Sequence, residues 1–70
     1  MTPLERDTAL ALANCTFLPA SHDKRFALDI AQMAVGESDL TERQSAHLFR
    51  LAWKYRRQMP AGLVPVEKPE

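Results

Sequence analysis

Helix punctuation constrains this chain more than any other feature. Thr2, Pro3 and Glu5 make a capping box with proline at the first helical position, where its missing N–H is harmless. Thr41 and Gln44 repeat the box ahead of a third apolar-periodic stretch. Between them Ser21 is an N-cap, and Asp23 sits in the first turn, where negative charge meets the positive end of the helix dipole. The stops are as clear: Thr16–Ala20 with Pro19, then Gly36, then Pro60 with Gly62. The spacing predicts an all-α, compact three-helix bundle with helices over about 3–14, 22–35 and 42–59. Residues 1–60 form the domain, and 61–70 follow as an extended, proline-containing tail.

The apolar residues fall on helical faces. Leu4, Thr8, Ala11, Leu12 and Cys15 share one side of helix 1. In helix 2 the set Phe26, Ala27, Ile30, Met33 and Ala34 is widened by Leu28, Ala31 and Val35, and a helix so apolar around its girth is expected at the centre of the bundle. Phe17 and Leu18 are too apolar for a free loop and are expected to plug the core at the first hinge. Ten of the 70 residues are alanine and three are phenylalanine, so the core is thin. Either the helices approach closely through alanine faces, or burial is completed by a partner, a homodimer among the options.

Several function classes drop out. The one cysteine, Cys15, allows no internal disulfide and no zinc site built on cysteine pairs. Cys15, His22 and His47 are scattered, so neither a metal nor a cofactor is expected. Two glycines make no phosphate-binding loop, and no nucleophile is spaced with a base and an orienting group, so the chain reads as a non-enzyme. No apolar run reaches the ~20 residues of a membrane span, and the N-terminus does not read as a signal peptide. The cytoplasm is the expected compartment.

Helix 3 carries the information. At 100° per residue Arg43, His47, Arg50, Lys54 and Arg57 fall within roughly 80° of arc, with Arg56 at the edge. Leu48, Leu51, Ala52, Tyr55 and Met59 occupy the core arc, and Phe49 with Trp53 makes an aromatic flank. Residues 41–58 hold five Lys/Arg against one acid, a net of +4; the remaining four Lys/Arg and eight acids give −4, so the neutral total hides a dipolar molecule. Such a stripe fits an anionic partner, of which nucleic-acid phosphate is the commonest. The plain alternative is that cations near a helix C-terminus complement its dipole. Phe49 and Trp53 read as core against helix 1 or Phe17, or else as a protein-interface hot spot or stacking surface.

Helix 2, a short turn and a basic helix 3 match a helix-turn-helix in outline. Three features depart from it. The Gly36–Leu40 turn is long, the cations gather in the C-terminal half of helix 3, and its first turn offers only Gln44 and Ser45 as neutral polar side chains for base edges. The tail segment Leu63-Val64-Pro65-Val66 is apolar and is expected to lie along the bundle or along a neighbour.

The strings Cys15-Thr16-Phe17-Leu18-Pro19-Ala20-Ser21, Asp23-Lys24-Arg25-Phe26, Leu40-Thr41-Glu42-Arg43-Gln44 and Trp53-Lys54-Tyr55-Arg56-Arg57-Gln58 resemble a pattern in short orphan proteins of bacteria and their phages and prophages. The resemblance spans much of residues 15–60 and carries over no site residues. It implies a mobile-element origin, and with it a DNA-associated accessory protein or an inhibitor of a host system. The sequence thus points first to a non-catalytic binding or regulatory protein that offers Arg43, His47, Arg50, Lys54, Arg56 and Arg57 to DNA or a nucleoprotein. The alternative is a phage-derived protein–protein inhibitor or adaptor of the anti-defence or anti-CRISPR type. It would grip an acidic protein surface through the same charges, with Phe49 and Trp53 as the burying residues.

Overall fold

Three side-chain caps start three helices where the punctuation places them. The computed structural model describes residues 1–19 and 21–65, and these hold α1 (Pro3–Ala13), α2 (His22–Val35) and α3 (Glu42–Lys54). Two 3-10 turns follow, Arg56–Gln58 and Ala61–Leu63. The hydroxyls of Thr2, Ser21 and Thr41 each accept the backbone N–H three residues on, at 3.1 Å. Glu5 and Gln44 return the bond to the N-cap N–H, both at 2.9 Å. Each cap satisfies an amide that would otherwise lack a partner and contributes roughly 1 kcal/mol.

The bundle is organised around α1, which packs on both α2 and α3, while those two touch each other less. Thr8, Ala9 and Leu12 of α1 are fully buried. They meet Ala27, Ile30 and Ala34 of α2 and Leu48, Leu51 and Ala52 of α3, with Cys15 and Met59 closing one end. Small side chains such as alanine at a helix contact permit closer packing of the axes than large ones do. The buried Thr8 hydroxyl donates to the Leu4 carbonyl at 2.6 Å, so no polar atom is stranded beside this spine.

Helix 2 is therefore not the central element its apolar girth suggested. Leu28 is 49% and Val35 74% exposed, because one face of α2 suffices to cover α1 and nothing among the described residues covers the other. Phe17 does enter the core margin, edge-on to Tyr55 with ring centroids 4.8 Å apart, whereas Leu18 stays 78% exposed.

The third helix stops at Lys54, short of the expected Met59. Pro60 pushes Met59 into extended geometry (φ −94°, ψ 148°), and the preceding turn tightens to i→i+3 bonding, Gln58 to Tyr55 and Met59 to Arg56. The Gln58 amide then clamps the loop after α1, accepting the Thr16 N–H at 2.7 Å and donating to the Thr16 carbonyl at 3.2 Å. In the tail, Ala61–Leu63 forms a turn of its own, and Leu63 and Val64 pack against the core. The expectations for Ala20 and for Val66–Glu70 fall outside the described residues.

Helix 2 ends in a Schellman motif. The Ser38 N–H donates to the Met33 carbonyl at 3.0 Å and the Glu37 N–H to the Ala34 carbonyl at 3.3 Å. The left-handed residue of this motif is Glu37 (φ 57°), while Gly36 sits one position early in ordinary right-handed geometry. A left-handed L-residue costs about 1–2 kcal/mol. Glu37→Gly is accordingly expected to raise stability by about 1 kcal/mol, or about 4–8 °C in Tm for a domain of this size, in thermal unfolding followed by circular dichroism. An unchanged or lowered Tm would contradict the assignment.

Candidate anion-binding face

Burial of Leu48, Leu51 and Ala52 fixes how α3 is turned, and positions at half-turn offsets from them face outward. Arg43 and Arg50 lie there, seven residues and about 10.5 Å of helix rise apart, and both are exposed. Arg56 and Arg57 continue the cationic surface from the 3-10 turn, also exposed. With Lys54, Tyr55 and Gln58 they line an open, shallow depression at the end of α3.

The six cationic or imidazole residues singled out by spacing do not share one state. Lys54 donates to Asp23 Oδ2 of α2 at 2.6 Å. The Tyr55 hydroxyl donates to the same oxygen at 2.8 Å. His47 stacks on Phe26 of α2, with centroids 4.1 Å apart and ring planes at 29°. Both Lys54 and His47 thus serve the α2–α3 contact.

Arg56 is held in place without losing its charge. It donates through Nη1 to the Trp53 carbonyl at 3.0 Å, with the guanidinium 4.5 Å from the indole centroid. This is the helix-end role that the dipole argument foresees for a cation. Among the described residues, the ion pairs are Met1–Asp39 and Lys54–Asp23, so Arg43, Arg50, Arg56 and Arg57 have no carboxylate within 4.0 Å.

The aromatic flank divides the same way. Phe49 and Trp53 are half-buried, yet neither belongs to the apolar side chains packed against the core. Trp53 instead carries Arg56 on its ring. Phe17, one of the packing partners expected for these rings, is taken by Tyr55.

Asp23 is the residue bearing on this face that spacing alone missed. Its sequence signal, an acid in a first turn, is fully explained by the helix dipole, and nothing local announces a contact 31 residues away. The hydrogen bond from Lys54 is the largest influence holding its carboxyl below the usual range, with Tyr55 adding to it, and Lys54 is raised in return. Tyr55 is pushed up, first by burial and then by Asp23. Burial likewise raises the Cys15 thiol, which lies 3.7 Å from Met59 Sδ. Among the described residues no three His, Cys, Asp or Glu side chains gather into a metal-binding group.

Asp23, Glu5 and Asp39 all have native carboxyls lowered from their ordinary values: Asp23 by Lys54, Glu5 by the Thr2 N–H, and Asp39 by the Met1 amino group. A lowered native value means stability that is fully present above the unfolded carboxylate pKa of about 4 and is lost as pH falls through the native one. The urea midpoint is expected to fall as pH drops from about 5 toward 2, and Asp23→Asn should shrink that fall without abolishing it. An acid limb identical in the variant would show that the Asp23 clamp adds nothing.

No family model, no curated protein and no solved structure matches the chain, so a functional reading stands on the geometry of α3 and its surroundings.

Proposed function

We propose that this chain is a small non-catalytic binding protein that offers the outer face of α3 to an anionic partner, and that the partner is DNA or a nucleoprotein. The observation that carries this reading is the set of four exposed guanidiniums, Arg43, Arg50, Arg56 and Arg57, without carboxylate partners among the described residues. A guanidinium offers a planar fork of donors suited to phosphate, and adjacent uncompensated positive charges lower their mutual repulsion by binding one. Lys54 and His47 support the face from behind through Asp23 and Phe26.

The mode is phosphate contact in preference to base reading. The free cations run from the first turn of α3 into the 3-10 turn beyond it, whereas a recognition helix concentrates its base-reading side chains near its N-terminus. Affinity then comes from released counterions and depends little on sequence. A second reading has its own support: half-buried Phe49 and Trp53, outside the core set, suit a protein partner whose acidic rim meets the same arginines. That version corresponds to a phage-derived inhibitor or adaptor.

Fluorescence anisotropy with a labelled DNA duplex separates the two. With four phosphate contacts, a plot of log K against log salt is expected to slope at about −3 to −4. Arg50→Gln should reduce that slope by about 1 and weaken binding equally for unrelated duplex sequences. Absence of binding at low salt, or a slope untouched by Arg50→Gln and Arg43→Gln, would overturn the DNA reading. Nuclease-resistant capture of one protein, lost in Trp53→Ala, would favour the second.

A further inference from the structure

One flank of α2 is a feature that the arginine face leaves unexplained. Leu28, Ala31, Gln32 and Val35, spaced i, i+3, i+4 and i+7, line an open apolar groove there. It lies on the flank of α2, roughly 115° around the helix from the buried Ala27, Ile30 and Ala34. A second depression, lined by Ser21, Lys24, Arg25 and Leu28, extends it toward the helix start. Exposed apolar residues scattered singly are ordinary, but a periodic strip along one helix is the form of a helix-packing surface.

The charges at its two ends name the occupant. Lys24 and Arg25 are exposed at the N-terminal end of α2, and Glu37 and Asp39 are exposed just past its C-terminal end, Asp39 in an ion pair with the Met1 amino group of its own chain and Glu37 in none among the described residues. We propose that a second copy of this chain covers the strip, α2 against α2, antiparallel across a twofold axis. Leu28 of each copy then meets Val35 of the other, and Ala31 and Gln32 sit near the axis, where small or flexible side chains permit close approach. The cationic end of each α2 faces the acidic end of the other, and the helix dipoles oppose. A parallel pairing would set like charges together. The surface is thus complementary to itself under a twofold operation, which an isologous contact requires. This proposal does not depend on the DNA reading, because α2 and α3 present different side chains.

The contact is small. Eight residues a side fall short of the 20–30 residues of a standard interface, so the dissociation constant should be on the order of 100 µM. Sedimentation velocity from about 10 µM to about 1 mM protein at low salt is expected to show a monomer passing to a dimer. The double variant Leu28→Glu/Val35→Glu, at exposed positions, should stay monomeric while keeping its helical circular dichroism. Lys24→Glu/Arg25→Glu should weaken the dimer by about tenfold through like-charge contact with Glu37, and adding Glu37→Lys should restore part of it. A monomer throughout the range would overturn the proposal. So would a dimer whose dissociation constant is unchanged in either double variant.

Discussion

The packing of α1 on both of its neighbours, with Ala9 fully buried, sets what the rest of this chain can do. Ala9 of α1, Ala34 of α2 and Ala52 of α3 are all fully buried. With so few large apolar side chains, the bundle acquires a core only if its axes come near enough for Leu12, Ile30 and Leu48 to fill the space between them. An eleven-residue α1 offers two such contacts, one to each neighbour. Each neighbour buries one face against it and keeps one outward face. A domain of this size gains only about 3–5 kcal/mol from its core, so its stability depends heavily on this one junction.

The two outward faces differ in chemistry. That of α3 carries arginines, and that of α2 carries Leu28 and Val35. Asp23 governs the boundary between them: it binds both Lys54 and Tyr55, holding the last turn of α3 against the first turn of α2. One positive charge is neutralised there, and the four guanidiniums of α3 and the turn after it, Arg43, Arg50, Arg56 and Arg57, are left without carboxylate partners among the described residues, as are Arg6 of α1 and Arg25 of α2. The same molecule thus carries a cationic surface on one helix and an apolar one on another.

Local chemistry was legible in the sequence and long-range chemistry was not. Thr2, Ser21 and Thr41 could be read as caps because a cap bonds three residues along the chain, and His22–Val35 follows from Ser21 and Gly36 in the same way. Leu48, Leu51 and Ala52 were legible from periodicity. The apolar girth of α2 misled, because periodicity reports which faces could be buried, not how many neighbours are present to bury them. Glu37 hid its positive φ behind the adjacent Gly36. The α3 end at Lys54 reflects a 3-10 turn that exchanges one hydrogen-bonding pattern for another without changing which residue, Met59, is buried. For the outer face of α3, spacing found the four arginines that lack a carboxylate partner there but counted Lys54 and His47 with them, since Asp23 and Phe26 come from another helix.

A single titration reaches the centre of this: backbone amide shifts of isotope-labelled protein, read by NMR as a short DNA duplex is added. If α1 turns the arginines outward as a separate surface, the largest changes fall on Arg43, Ala46, Arg50, Arg56 and Arg57, and the amides of Leu28, Val35 and the Thr8–Leu12 spine stay in place. Changes centred on α2 or on that spine would show that the outward face of α3 is not where the protein meets its partner.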